Sequence, residues 1–389
     1  MSELRVAQIH NPNNQTGGIT IGNDDNVSIS GQAQPTAGAQ GNRNLIINGA
    51  MQIAQRGDDM DDITTTGYRT CDRFRIDVNS LGTWTVQQST ESPDVFTNSL
   101  RMLCTTADAS PAASDACLIN YFVEGFDCQR LLDTGTTTHP MRLSFWVKSN
   151  RTGDASLELI QPDNSNKMFT VSYNIAAADT WEHKVIEIPA DTAAVFDNNN
   201  GRGLEISWWL NSGSSFTGGT HSAGWVAFDQ TARNCTNLGV GQAVDDEFCL
   251  TGVQLEIGTN ATAFEWRPHA AELALCQRYF QTSFVQGAPR HGVTRNIYLF
   301  VRPYTGNNVA GIGNDYQVEM RAVPTIVTYT TQGGSGETNG YVSYYTNGSW
   351  SNGAMNPHSS RTLTRLTLDG GLDSAVVLVQ YNYTADAEL

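Results

Sequence analysis

The sequence predicts an all-β protein, and three observations carry that prediction. Apolar and polar residues alternate in short runs along the 389-residue chain, for example LSFWV at 143–147 and LEISWWL at 204–210, and a period of two is the pattern of strands. Turn-forming stretches such as PDNSN and DNNNGRG separate the runs. A helical period occurs only near residues 268–280. Many short strands without intervening helices indicate a β-sandwich or jelly roll.

The first 43 residues are polar and rich in Gly, Asn and Gln, and they contain one recognisable unit. Ile19 and Ile21 precede the turn-forming NDDN, and a second apolar pair follows it, which predicts a small hairpin. Two such strands bury too little surface to persist alone. The segment is therefore either disordered or docked between neighbouring chains, and we favour docking. Residues 33–42 then form a linker.

Residues 44–264 are predicted to form the jelly-roll domain. The strand at 204–210 contains two adjacent tryptophans, Trp208 and Trp209. Because successive side chains of a strand point to opposite faces, one of them is expected in the core and the other on the outer face. Residues 251–257 read as the closing strand of this domain, half-buried, with Gln254 and Glu256 on the polar face.

Residues 265–281 are predicted to be a connecting helix between two β domains. Pro268 is suited to a helix start. The apolar residues Leu273, Cys276, Tyr279 and Phe280 follow at spacings of three, three and one, which predicts one apolar stripe about three turns long.

Residues 282–389 are predicted to form a distal β domain. Its best strands are NIYLFV at 296–301, YQVEM at 316–320, TIVTYTT at 325–331 and AVVLVQYNYT at 375–384. The stretch TNGYVSYYTNGSW predicts a hairpin closed by Asn347 and Gly348.

Aromatic residues are the positive signal for binding in this distal domain. Tyr341, Tyr344, Tyr345 and Trp350 lie in a Gly, Ser and Asn background, a composition that makes good recognition surfaces. Alternation places Tyr341 and Tyr345 on one face and Tyr344 on the other. The four are candidate receptor contacts, and the alternative is that the tyrosines fill a small β core. Three residues in predicted loops join the candidates: His291, Tyr304 and His358.

Charge and cysteine usage exclude several classes of protein. The net charge of −16 repels nucleic-acid backbones and anionic membrane surfaces, so we expect no nucleic-acid binding. No apolar stretch approaches the length of a membrane span, so we expect no membrane insertion. The seven cysteines include no C-x-x-C pair, as expected of buried thiols in a protein made in a reducing cytoplasm. The chain begins without an apolar run, so no signal peptide is expected.

The sequence contains no recognisable catalytic motif. No G-x-S-x-G is present and the seven histidines are scattered. The acidic clusters at 24–25 and 58–62 lack the order of a calcium loop, and we interpret them as solvated turns. We therefore expect no enzyme activity, no metal and no cofactor, although a carboxylate pair for glycoside hydrolysis needs only spatial proximity and stays an open alternative.

Four stretches carry a resemblance to a known family. They are QLEIGTNATAFEWRPHAAELALCQRYFQ at 254–281, NLIINGAMQIAQRG at 44–57, VEMRAVPT at 318–325 and YTADAEL at 383–389. Together they resemble tail fibre proteins of tailed bacteriophages. The resemblance implies a jelly roll like that of carbohydrate-binding modules, a distal receptor-binding domain and a homotrimer. It also implies that residues 1–43 attach to a tail or baseplate protein of the virion.

The function that this resemblance implies is attachment of the virion to a bacterial surface glycan or outer-membrane protein. It makes Trp209 a candidate glycan platform on the outer face of the jelly roll, and burial of that ring against a neighbouring subunit is the alternative. Two other functions stay open. One is a structural adaptor or head fibre that binds other virion proteins, and the other is a virion-borne polysaccharide depolymerase or esterase.

Overall fold

The structure is a computed structural model in which most of the chain is described. The described residues are 8–11, 14–21, 27–29, 32–33, 41–284, 297–300, 312–330, 341–346, 349–354, 356–357, 363–369 and 376–389. The chain divides into two compact units. The jelly-roll unit comprises Met1–Gln52, Asp59–Arg69 and Phe74–Arg267, and the C-terminal unit comprises Ile53–Asp58, Thr70–Arg73 and Pro268–Leu389. Two short segments near residues 53–73 therefore group with the C-terminal residues.

The N-terminal residues form a small antiparallel sheet in the order β1-β2-β3-β4. Its strands are β1 (Gln8–Asn11), β2 (Asn14–Ile21), β3 (Val27–Ile29) and β4 (Gln32–Ala33). Ile19 pairs with Ile29, and Ile21 pairs with Val27. This pairing confirms the predicted hairpin and extends it by a strand on each side.

The jelly roll is built from twelve further strands and a few short helical turns. The strands are β5 (Asp59–Tyr68), β6 (Phe74–Ser89), β7 (Ser99–Thr106), β8 (Ala116–Glu124), β9 (Leu132–Thr134), β10 (Thr137–Thr138), β11 (Met141–Ser149), β12 (Gly153–Gln161), β13 (Lys167–Ile175), β14 (Glu182–Ile188), β15 (Arg202–Ser212) and β16 (Glu247–Ile257). The helical turns are α1 (Gly125–Cys128) and the 3-10 helices Gln129–Leu131, Pro162–Asn164 and Gln230–Ala232.

Strand β6 connects two layers of this sandwich. Its first half, from Phe74 to Asn79, pairs with β8, and its second half, from Thr83 to Ser89, pairs with β7. Gly82 lies between the halves with a φ of +70°, which glycine adopts at little cost. Layer A therefore has the order β13-β12-β15-β8-β6, and layer B has the order β6-β7-β16-β11-β14.

The core fills the space between the layers. The Phe145 ring of layer B lies 5.7 Å from the Trp208 ring of layer A and 5.3 Å from the Tyr173 ring. All three side chains are buried. The sequence predicts this arrangement, in which inward-facing apolar residues alternate with outward-facing ones along each strand. The all-β jelly-roll fold class is confirmed.

Strand β16 is buried on both faces, so the prediction of a half-buried strand is wrong. The segment that follows β16 folds back over its polar face. Glu256 accepts hydrogen bonds from the backbone N–H of Thr262 at 2.8 Å and from its hydroxyl at 2.7 Å, and Gln254 Oε1 accepts from the Glu265 N–H at 2.8 Å. These partners satisfy the polar groups, because a buried carboxylate or amide without them would be costly.

The described residues of the C-terminal unit form one helix and nine strands. These are α2 (His269–Gln277), β17 (Phe280–Thr282), β18 (Ile297–Phe300), β19 (Ile312–Asp315), β20 (Thr325–Tyr329), β21 (Tyr341–Thr346), β22 (Ser349–Ala354), β23 (Asn356–Pro357), β24 (Arg365–Asp369) and β25 (Val376–Asp386). Strand β25 pairs with β17, β18, β20 and β21 and is the centre of the sheet, as its apolar sequence predicts. None of the described helices is long and apolar enough to span a bilayer.

Helix α2 begins after Pro268, as predicted, but it is shorter than its apolar spacing suggests. It ends at Gln277, so Tyr279 follows the helix and Phe280 begins β17. Glu272 and Cys276 are buried, whereas Leu275 is 37% exposed. Tyr279 and Phe280 are buried after the helix has ended. The predicted apolar stripe of three helical turns is therefore wrong.

The predicted strand at 316–320 is also wrong. These residues bond to side chains and loops in place of a strand ladder: the Gln317 N–H donates to Gln281 Oε1 at 2.9 Å, and the Met320 N–H donates to the Leu363 carbonyl at 2.7 Å. The predicted hairpin in 338–350 is confirmed, since β21 and β22 pair with Thr346 opposite Ser349.

Candidate functional site

The candidate aromatic residues of the C-terminal unit lie on two faces of the β21–β22 hairpin. Tyr345 and Trp350 are cross-strand partners with ring centroids 5.4 Å apart, and both are half-buried. Tyr341 is 37% exposed. Tyr344 lies on the opposite face, where it packs against the buried core of this unit. The outer face thus offers Tyr341, Tyr345 and Trp350 to a partner, and their receptor contact stays a prediction.

Three other predicted contacts, His291, Tyr304 and His358, lie outside the described residues.

Trp209 is not an exposed platform, and this part of the prediction is corrected. It points to the outer face of layer A while Trp208 points into the core, as the alternation predicts, but its exposed fraction is 1%. Phe216 covers it with a ring centroid 5.2 Å away, and its indole N–H donates to Glu158 Oε2 at 3.1 Å. The segment between β15 and β16, residues 213–246, crosses the outer face of layer A here and covers the ring, so Trp209 is not an open sugar platform.

A groove of about 230 Å³ lies on this outer face, next to Trp209. Its floor comes from outward positions of β6, β8 and β15, and Thr66 of β5 and Phe216 contribute to its edges. The lining residues are Thr66, Arg75, Asp77, Asn79, Ala116, Leu118, Asn120, Phe122, Arg202, Glu205, Trp209, Phe216 and Arg233. The groove combines planar polar side chains with aromatic rings beneath them.

Each arginine of the groove is matched to a carboxylate. Arg75 Nε lies 2.7 Å from Asp77 Oδ1, Arg202 Nη1 lies 3.2 Å from Glu205 Oε1, and Arg233 Nε lies 2.7 Å from Glu158 Oε1. The three pairs leave no net charge among them. Most of these side chains are half-buried, so the pairs are more rigid than exposed ones.

All three arginines also lie over aromatic rings. The Arg202 guanidinium carbon lies 4.1 Å from the Phe122 ring centroid, and that of Arg233 lies 5.0 Å from the Trp209 ring. A guanidinium over a ring face gains a cation–π attraction. The guanidinium planes are therefore held in place before a ligand arrives.

A hydrogen-bond chain fixes the floor of the groove. Ser207 donates to Asn120 Oδ1 at 2.6 Å, and Asn120 Nδ2 donates to Asp77 Oδ2 at 2.7 Å. Burial raises the pKa of Asp77, and the neighbouring Arg75 opposes that shift. Burial likewise raises the pKa of Glu158, against the lowering effect of Arg233.

This arrangement suits hydroxyl-rich ligands. Guanidinium groups donate in pairs and carboxylates accept in pairs, which matches neighbouring hydroxyls that both donate and accept. The sequence shows part of the signal, since Arg75, Asp77 and Asn79 alternate on β6. It does not show that β8 and β15 lie beside them, because strand pairing over such distances is not a local property.

Comparisons with known proteins give no family for this chain. No family model matches the sequence and no curated protein matches it. A putative sugar binding protein from Bacteroides thetaiotaomicron matches 55% of this chain and 100% of its own, with a TM-score of 0.30 and 12% identity. The enzymatically active domain of bacteriophage CBA120 tailspike protein 4 matches 55% of this chain, with a TM-score of 0.28 and 12% identity. This chain covers only 21% of that tailspike chain.

A third solved structure is the N-terminal CBM22-1–CBM22-2 tandem domain from Paenibacillus barcinonensis Xyn10C. It matches 91% of this chain and 93% of its own, with a TM-score of 0.27 and 8% identity. TM-scores and identities of this size establish neither a family nor a function for the chain.

Proposed function

We propose that this protein is a tail fibre of a tailed bacteriophage that attaches the virion to its host by non-covalent binding of a bacterial surface glycan. The groove on layer A is the glycan site in this proposal. The observation that carries it is the row of three neutralised arginine–carboxylate pairs above buried aromatic rings. The fibre assignment comes from the sequence resemblance.

The proposed ligand follows from the chemistry of the groove. A phosphate or a nucleic-acid backbone needs unmatched cations, and here each arginine already has a carboxylate partner. A purely apolar ligand would displace the water that still solvates these pairs and offer no hydrogen bond in its place, which costs free energy. Sugar hydroxyls replace the lost water with hydrogen bonds of similar geometry.

The proposal is binding without cleavage. The two carboxylates that line the groove, Asp77 and Glu205, and the buried Glu158 are each held by an arginine, and such pairs orient hydroxyls well. The homotrimer, the attachment of residues 1–43 to a tail or baseplate protein and the location in the virion are parts of the same proposal. Three sites on one axis increase avidity when they engage together.

A binding experiment with matched variants tests the groove. Full-length protein, Arg202→Ala and Arg101→Ala are applied to an array of bacterial O-antigen and capsule oligosaccharides. Arg101 is the control because it is a half-buried arginine paired with Glu247 at 2.8 Å in layer B. Loss of a charged hydrogen bond costs about 1.5–3 kcal/mol, so Arg202→Ala is expected to weaken binding about tenfold or more.

Three results would count against the proposal. Equal binding by Arg202→Ala and Arg101→Ala would show that the groove does not bind the glycan. Release of reducing ends from the bound saccharide would favour the depolymerase. Absence of binding to every glycan would favour the adaptor function.

A further inference from the structure

A second cleft in the jelly-roll unit lies apart from the groove. It has a volume of about 450 Å³, within the range of small-molecule sites. It opens where β13, the last strand of layer A, and β14, the last strand of layer B, come together. It shares no lining residue with the groove, so its occupation does not depend on the groove.

The floor of this cleft is apolar, and Trp225 contacts two of the residues that form the cleft. Phe169 and Ile188 contribute to it from the two layers, and both are buried. The Trp225 ring lies 6.0 Å from that of Phe169, and its N–H donates to the Pro189 carbonyl at 2.9 Å. These contacts hold Phe169 and Pro189, and with them the shape of the cleft, without a ligand.

The rim of the cleft is polar and electrically neutral. Arg142 Nη2 donates to Glu187 Oε1 at 3.0 Å. The Glu187 side chain is 79% exposed, whereas that of Arg142 is 11% exposed, so the carboxylate is the more accessible group of the pair. Ser222 accepts from the Thr170 N–H at 3.3 Å and keeps its own hydroxyl hydrogen to donate.

We propose that this cleft binds a short neutral saccharide independently of the groove. The C–H face of a sugar ring packs on Val171 and Pro189, the half-buried apolar residues of the lining, and its hydroxyls donate to Glu187 and accept from Ser222. An acidic sugar is disfavoured because the exposed Glu187 carboxylate repels it and the nearby guanidinium is already paired. A peptide segment of apolar character would displace the water around the exposed Glu187 carboxylate and offer no hydrogen bond in its place, which is costly.

Saturation-transfer difference NMR on the full-length protein tests this inference. The probes are N-acetylglucosamine, methyl α-mannoside and methyl β-galactoside, with N-acetylneuraminic acid as the acidic comparison. All samples carry Arg202→Ala, which weakens any signal from the groove, and the two tryptophan variants then assign the remaining signal to the cleft or to the groove. Ala223→Trp fills the cleft at an exposed lining position, and Ala227→Trp is the matched control in the same exposed segment, outside the lining.

The inference predicts signal from at least one neutral sugar, loss of that signal in Ala223→Trp and its retention in Ala227→Trp. Absence of signal from all neutral sugars, equal signal in both tryptophan variants, or stronger signal from N-acetylneuraminic acid would overturn it. Because the groove is tested separately by Arg202→Ala against Arg101→Ala, failure of either site is distinguishable from failure of the other.

Discussion

The clamp between Arg233 and Glu158 gives the sharpest prediction about how the groove is built. Glu158 has no exposed side-chain surface. It accepts from Arg233 Nε at 2.7 Å, from Arg233 Nη2 at 2.8 Å and from the indole N–H of Trp209 at 3.1 Å. Arg233→Met removes two of these three donors and leaves a buried carboxylate with one. We therefore expect a large loss of stability in the jelly-roll unit.

The magnitude follows from the burial of the pair. Breaking a buried ion pair costs about 3–5 kcal/mol, and since Arg233 is 21% exposed the lower end, about 3 kcal/mol, is expected. Glu158→Leu combined with Arg233→Met removes both charges, so the double variant is expected to recover most of that loss.

The assay is urea unfolding followed by tryptophan fluorescence. Seven of the eight tryptophans lie between residues 84 and 266, so the signal reports mainly the jelly-roll unit. Burial raises the folded-state pKa of Glu158, and loss of Arg233 raises it further. Because a group with a raised pKa binds a proton on folding, the loss is expected to be larger at about pH 8 than at about pH 5. A loss below about 1 kcal/mol, the value for exposed pairs, would refute this reasoning.

Three further comparisons probe Asp72, Gly252 and the β21–β22 hairpin. Burial raises the pKa of Asp72 from 3.8 to about 7, although the charge of Arg56 acts to lower it. The contribution of Asp72 to the stability of the C-terminal unit therefore falls as the pH rises from about 4 to about 7. Asp72→Asn should flatten this slope in calorimetric scans, and an unchanged slope would contradict it. Gly252 has a φ of +62°, and an added Cβ would lie 2.6 Å from the Phe96 ring, whereas Gly135, with a φ of +58°, has nothing near. Gly252→Ala should therefore lower stability in urea by about 1–3 kcal/mol more than Gly135→Ala, and equal losses would show that the ring moves freely. On the hairpin, Tyr344→Ala should lower the melting temperature because Tyr344 packs on the core. Trp350→Ala should weaken cell binding with a smaller change in melting temperature. A larger loss of melting temperature in Trp350→Ala, or a loss of binding only in Tyr344→Ala, would contradict these assignments.

The strands of the jelly roll were predictable because their signal is local. Alternation at 143–147 and 204–210 identifies β11 and β15, and the opposite orientation of Trp208 and Trp209 follows from it. The burial of Trp209 was not predictable, since it depends on Phe216 in a loop that returns over layer A. The same holds for β16, whose polar face is covered by a later segment.

The groove was not predictable as a site because its members come from strands distant in sequence. Arg75 and Asp77 alternate visibly on β6, but Asn120 and Glu205 join them only through the pairing of β6 with β8 and of β8 with β15. The short α2 has a similar explanation. The apolar residues at 273, 276, 279 and 280 have the spacing of a longer helix, but Tyr279 and Phe280 pack into the C-terminal unit outside the helix. Tertiary packing thus overrides the local preference.

Adsorption of labelled full-length protein to intact bacteria, with and without purified surface polysaccharide from the same strain, is the most direct test of glycan attachment. The proposed function predicts saturable adsorption that the polysaccharide abolishes, that Arg202→Ala weakens and that Arg101→Ala preserves. Adsorption that the polysaccharide does not reduce, or that Arg202→Ala leaves unchanged, would contradict glycan attachment through the groove.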